Sequence, residues 1–318
     1  MVRRKIASRL IAAALLTACS SPVGPAGALP TTTASAAPTP SIGQERTLTV
    51  DGLERQYLVY IPTSLDRSKP SPLVIYLHGS GQTMRAAERT TELSVQAEQQ
   101  RFVVIYPQGL GSALTSVQAM WNFGCCNAVF DQKVDDLGFV RQIIQKTTAD
   151  LPIDPDRIYI AGLSAGAIMA YRIACEAPQL IAAVGAISGG LAISSCSPPA
   201  DLSILEIHGT KDDQTPYGGC APTTTRCGNP NLTLPAVEPM MARFRELLGC
   251  PTPTIVRDGP VTRTTASPCR GGTEVTLITA EGGLHMGPLG STTGGTMANA
   301  DVPALLKFFF AHRRPQAR

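Results

Sequence analysis

Residues 160–166 read Ile-Ala-Gly-Leu-Ser-Ala-Gly, an apolar run that leads straight into a Gly-x-Ser-x-Gly turn at 162–166. Between a strand and a helix, such a turn holds its serine on a tight elbow with the hydroxyl exposed above the sheet. Gly162 and Gly166 flank it because a β-carbon at either position crowds the turn. Both flanks fit: the turn Asp154-Pro155-Asp156 precedes a β-branched and aromatic run, and Ala165 to Cys175 is rich in Ala, Ile and Met without proline. Ser164 therefore reads as a nucleophile. Its proton needs a base, and the base needs a carboxylate to fix its tautomer. Of the four histidines, His285 sits in Glu281-Gly282-Gly283-Leu284-His285-Met286-Gly287, after one strand and before the last helix. The carboxylate candidates are Asp212 and Asp213, with Asp212 preferred; they follow the strand that ends Leu205-Glu206-Ile207-His208. His208, at that strand end, reads as a structural histidine. Acyl chemistry also needs N–H donors aimed at a developing oxyanion. The amide of Ala165 is one, and the loop His78-Gly79-Ser80-Gly81-Gln82 offers Ser80 or Gly81 as the second.

The elements that must position these residues follow a strand–helix rhythm. Short apolar runs at 72–77, 102–106, 157–161, 182–187, 202–207 and 274–279 have the look of strands buried on both faces. Helical stretches are expected at 85–100, 133–150, 165–176, 237–248 and 301–312. This alternation implies an α/β fold, a mostly parallel central sheet with helices on both faces. The runs 46–50 and 56–61 suit an antiparallel hairpin about Asp51-Gly52. Residues 213–235, with Pro, Gly, Thr and two cysteines, interrupt the rhythm as a stapled loop. In open α/β sheets, sites form at the carboxyl ends of strands, and all three candidate catalytic residues fall there.

Four of the 27 basic residues, Arg3, Arg4, Lys5 and Arg9, lie in the first nine positions, so the rest of the chain carries 23 against 24 acidic. A near-neutral body offers no electrostatic footprint for nucleic acid. The basic cluster followed by the apolar run Leu10 to Ala18 reads as a signal peptide over 1–18, too short to span a bilayer. It ends in Leu16-Thr17-Ala18-Cys19, which resembles a bacterial lipobox, so Cys19 is the candidate lipidation site. The chain is then exported and anchored in the outer face of the cell membrane through that lipid, or secreted. Residues 19–45, uncharged before Glu45, read as a tether, and 46–318 as the catalytic domain. Without Cys19, the nine cysteines leave an even set of eight, as expected of a disulfide-bonded exported protein. Eight cysteines allow 105 pairings, so the sequence does not fix them. Proximity favours Cys220 with Cys227 and Cys250 with Cys269, Cys175 with Cys196 would join adjacent elements, and that would leave the neighbours Cys125 and Cys126 for a vicinal bridge. No Cys-x-x-Cys pair occurs, and nothing in the chain calls for a metal or an organic cofactor.

From residue 46 to 312 the chain resembles the exported esterases grouped with polyhydroxybutyrate depolymerases and with feruloyl and acetyl-xylan esterases, on the α/β-hydrolase fold. The resemblance rests on His78-Gly79-Ser80-Gly81-Gln82, Trp121-Asn122 with Cys125-Cys126, Asp135-Asp136 and Asp154-Pro155-Asp156-Arg157. It continues through Gly162 to Gly166, His208-Gly209-Thr210-Lys211-Asp212, and Gly282-Gly283-Leu284-His285. Carried over by position, it implies Ser164 as nucleophile, Asp212 as orienting acid and His285 as base, acting on a small or polymer-linked ester. The only tryptophan, Trp121, is the candidate aromatic contact for substrate. Two rivals share these features. An exported acyltransferase would pass the acyl group to an alcohol, and a binding lipoprotein would keep the fold without turnover. A histidine base must be neutral to act, so hydrolysis is expected to fall on acidification through the imidazole range, about 6.5 for a free side chain.

Overall fold

The computed structural model describes residues 42–112, 117–126, 133–196, 202–221, 227 and 231–314. Cys19, the expected signal peptide and the tether up to residue 41 lie outside the described residues. The chain opens with β1 (Gln44–Val50) and β2 (Leu53–Tyr60), an antiparallel hairpin whose Asp51 and Gly52 both take positive φ, 50° and 78°. A two-residue turn of that hand matches the right-handed twist of its strands. Next come β3 (Ser71–Leu77), α1 (Met84–Thr91), α2 (Leu93–Gln100), β4 (Val103–Pro107), β5 (Leu110–Ser112), β6 (Val117–Met120) and α3 (Asp136–Asp150). The second half runs β7 (Ile153–Leu163), α4 (Ala165–Glu176), β8 (Ala183–Ile187), β9 (Ser203–Gly209), α5 (Val237–Leu247), β10 (Thr254–Asp258), β11 (Val261–Ala266) and β12 (Val275–Ala280). It closes with α6 (Pro288–Thr293) and α7 (Val302–Ala311).

Ten strands form one sheet in the order β1-β2-β4-β3-β7-β8-β9-β12-β11-β10. The six central strands, β4 to β12 in that order, pair in parallel, and an antiparallel pair closes each edge. Because β3, β4, β8 and β9 are buried along their whole length, they read as continuous apolar runs. Their side chains still alternate between two cores. Leu73, Ile75 and Leu77 of β3 belong to the core shared with Phe139 of α3, Ile168 of α4 and Met241 of α5, while Val74 and Tyr76 belong to the opposite core with Ala87 of α1, Ala97 of α2 and Leu305 of α7. The α/β-hydrolase architecture expected from the sequence is the one formed.

The expected helix over 85–100 is two, because Glu92 turns left-handed at φ 50° and ends α1 there. The pairing that the sequence left open includes the two pairs that proximity favoured and resolves as Cys125–Cys126, Cys175–Cys196, Cys220–Cys227 and Cys250–Cys269. The second of these ties the end of α4 to the loop after β8. The third staples the loop between β9 and α5, where Cys220 also bridges to Leu234.

Candidate active site

Ser164 stands between the central strand β7 and α4, at φ 56° and ψ −121°. A non-glycine residue holds such angles only where its surroundings over-determine them. Here the Ser164 N–H donates to the Ile187 carbonyl at 2.9 Å, locking the elbow to the end of the neighbouring β8. The glycines do the rest. A β-carbon on Gly162 would lie 2.3 Å from the Gly166 carbonyl carbon, and one on Gly166 would lie 2.1 Å from the Leu77 carbonyl oxygen. The helix can therefore start against the strands only if both positions lack a side chain.

The loops after β9 and β12 are zipped together by their backbones. The Thr210 N–H donates to Ala280, the Lys211 N–H to Gly283, and the Gly282 N–H to the Thr210 hydroxyl. Gly209 has to be glycine at this crossing, since a β-carbon there would sit 2.2 Å from the Gly283 oxygen. This zipper brings Nδ1 of His285 to 2.9 Å from both oxygens of Asp212. Asp213, the other candidate, is exposed and points into the cavity instead.

Asp212 is buried and saturated with donors. It accepts from the N–H groups of Gln214 and Thr215 at 2.9 and 2.8 Å, and the Thr215 hydroxyl lies 3.0 Å from its second oxygen. Burial alone would raise its carboxyl; hydrogen bonds from His208 and His285 outweigh that and hold it far below the usual carboxylate range. With Asp212 ionised, Nδ1 of His285 is the protonated nitrogen, which leaves Nε2 as the proton acceptor. The far side of His285 is fixed by Ser188, another left-handed residue (φ 52°), whose hydroxyl donates to the His285 carbonyl at 2.9 Å. Ser188 and Thr215 escaped the reading of the sequence, since a lone serine after a strand and a lone threonine in a loop carry no periodic or motif signal.

Ser164 and His285 line one cavity of about 820 Å³, with Gly79, Ser80 and Ala165 on its wall. Met120, Phe123, Ile168, Leu232, Leu284 and Met286 make much of the rest apolar, and Leu284 and Met286 stand about half exposed beside His285. Among the described lining residues there is no lysine or arginine.

Two expectations need correction. Trp121 is fully buried: its indole N–H donates to the His78 carbonyl at 2.8 Å, and its ring packs on the His78 imidazole. It braces the loop behind the cavity and is not exposed to a substrate. Gly81 is likewise unavailable as an oxyanion donor, because its N–H already donates to Ala119 of β6 at 2.8 Å. Ser80, one residue earlier, lines the cavity, and among the described residues its N–H has no acceptor. His78 is a structural anchor for this loop. Burial lowers it to about 4, so it is neutral; Nδ1 donates to Gly79, and Nε2 accepts the Gly109 N–H at 2.9 Å. Asp136 and Asn122 are structural too: buried Asp136 pairs with Arg55 at 2.5 Å and accepts the Asn122 N–H at 2.6 Å.

A serine on a strand-to-helix elbow, followed in chain order by an acid and a histidine at the carboxyl ends of parallel strands, defines an α/β-hydrolase. Comparison with known proteins narrows this: the chain belongs to the Phospholipase/Carboxylesterase family, whose model matches residues 63–226. Over 241 residues, 74% of the chain, it is 26% identical to the bifunctional acetylxylan esterase/xylanase XynS20E of Neocallimastix patriciarum, spanning 31% of that protein. Feruloyl esterase C of Emericella nidulans is 30% identical over 186 residues, 57% of the chain and 64% of the relative. Among solved structures, the acetyl xylan esterase from Aspergillus awamori superposes with a TM-score of 0.59 at 16% identity, covering 84% of this chain and 99% of that one.

Proposed function

We propose that the protein is an exported serine esterase that hydrolyses carboxylic esters through an acyl-enzyme. Ser164 attacks the ester carbonyl while Nε2 of His285 takes its proton, and Asp212 holds His285 in the required tautomer and stabilises the imidazolium. The amides of Ala165 and Ser80 receive the developing oxyanion. His285 then hands its proton to the departing alcohol, and water releases the acyl group by the same steps in reverse order. The observation that carries this reading is the pairing of His285 Nδ1 with both oxygens of Asp212 beside the elbow serine.

The apolar wall and the absence of described cationic lining residues favour an uncharged acyl group. Relatives named for acetylxylan and feruloyl esterase activity make acetyl and hydroxycinnamoyl esters of carbohydrate the first substrates to try. Four disulfides suit an oxidising compartment outside the cytosol, and a lipid on Cys19 would keep the enzyme at the membrane surface. The test is hydrolysis of p-nitrophenyl esters of increasing acyl length and of methyl ferulate, each with the Ser164→Ala variant alongside. Turnover by the parent and silence of the folded variant support the reading. Loss of ester without water-derived acid, but with acyl transfer to an added sugar, would replace it by a transferase.

A further inference from the structure

The carboxylate Asp212 has a second histidine against it. His208 lies fully buried at the end of β9, and the base His285 approaches Asp212 from the cavity side. Nδ1 of His208 is 2.7 Å from Oε1 of Glu206; Nε2 is 2.7 Å from the Thr215 carbonyl and 3.3 Å from Oδ2 of Asp212. A carbonyl oxygen cannot donate. Glu206 is itself supplied with donors, the Tyr171 hydroxyl on one oxygen at 2.7 Å and the Gly189 N–H on the other at 3.1 Å, the surroundings of a carboxylate. Every partner of the ring is thus an acceptor. A neutral imidazole would leave one bare nitrogen lone pair facing an acceptor at 2.7 Å in a buried site.

We infer that His208 is held as an imidazolium between Glu206 and Asp212, and that this fixed cation is a positioning residue for the proposed triad. It keeps Asp212 ionised and oriented and sets the charge against which His285 takes up its proton. The inference rests on the triad reading for its function, though not for the charge of His208. With His285 neutral, the buried group Glu206, His208 and Asp212 carries one net negative charge; without His208 it would carry two. Burial alone would lower the imidazole, but hydrogen bonds to Asp212 and Glu206, with their charges, outweigh it and raise His208 to about 9. The other titratable groups facing the ring are Tyr171 from α4 and Tyr217, whose ring stands edge-on at 5.7 Å and whose hydroxyl donates to Glu238. Burial drives both tyrosines well up, so they stay neutral donors.

Two readouts test this. In the folded parent enzyme labelled with ¹⁵N-histidine, long-range ¹H–¹⁵N spectra at pH 7 should show both His208 nitrogens protonated, with assignment from the signal lost in His208→Gln. One unprotonated nitrogen there overturns the inference. The second readout is the pH profile of kcat/KM for His208→Gln. Removing the cation should move the acid limb up by about one pH unit. The charge-restoring double variant His208→Gln/Glu206→Gln should bring the limb back toward the parent. A purely structural role would lower the rate at every pH and leave the limb in place, which also overturns the inference. Should the single variant fail to fold, the parent spectrum still decides, since one unprotonated nitrogen on His208 overturns the inference. If no ester is turned over at all, the failure belongs to the triad reading, because the spectrum does not depend on turnover.

Discussion

Gly166→Ala is the sharpest perturbation of the elbow. The added β-carbon would fall 2.1 Å from the Leu77 oxygen and 2.6 Å from the His78 oxygen, both backbone atoms of β3 and the loop that follows it. Ordinary carbon–oxygen contact needs more than 3 Å, so α4 or the loop must shift by about 1 Å. Overpacking of this kind costs about 1–3 kcal/mol, which for a domain of this size lowers Tm by roughly 2–10 °C. The same shift displaces Ser164 from Ser80 and from His285. Misplacement of reacting groups by about 1 Å costs about 100-fold in rate, so kcat should fall further than stability alone explains. Calorimetry and initial rates on a short-chain p-nitrophenyl ester give both numbers. Gly218→Ala is the control: nothing lies within 4 Å of its β-carbon, and Tm and rate should stay within error of the parent. Full activity with an unchanged Tm in Gly166→Ala would refute the claim that close approach of backbone, and not chance, sets this glycine.

Three further perturbations follow from named contacts. Arg55→Ala strands the fully buried Asp136 without its cation and removes the guanidinium packed 4.2 Å from the Phe139 ring. Urea unfolding should show a loss of about 3–5 kcal/mol. Ser164→Gly removes the hydroxyl of the proposed nucleophile and the steric cost of φ 56°, so hydrolysis should vanish while stability rises by about 1 kcal/mol. Asp301, buried under α6 with its oxygens on the Leu289 and Gly290 amides, is raised to about 6 because desolvation outweighs those hydrogen bonds. A raised acid contributes stability that is fully present below the ordinary carboxylate value and is lost as pH rises through about 6. Asp301→Asn should therefore gain on the parent between pH 4 and 7 by something of the order of 3 kcal/mol, read from urea midpoints. A gain on acidification instead would reverse the assignment.

The parallel core and the placing of the candidate triad at the strand ends were legible in the chain because each leaves a dense local signal. Fully buried strands are unbroken apolar runs, the elbow requires glycine at two fixed offsets from Ser164, and the acid and base follow strands. What escaped is what depends on tertiary context. β10 is exposed along its length and β11 is rich in threonine, so neither carries the apolar run of a buried strand. Trp121 passed for a substrate contact because composition cannot tell an aromatic ring braced behind a cavity from one facing it. Gly81 looked as good a donor as Ser80 until β6 supplied an acceptor for its amide. His208 was legible as a non-catalytic histidine, but its charge is set by Glu206, Thr215 and Asp212 converging in space.

The most direct test is to trap the acyl-enzyme. The oxidised domain should be mixed with p-nitrophenyl butyrate, quenched in acid within the first turnover, digested and examined by mass spectrometry. The peptide that carries Ser164 should gain one butyryl group together with a burst of p-nitrophenolate, and Ser164→Ala should show neither. Sustained hydrolysis by Ser164→Ala, or acylation on a residue other than Ser164, would contradict the assignment of Ser164 as nucleophile.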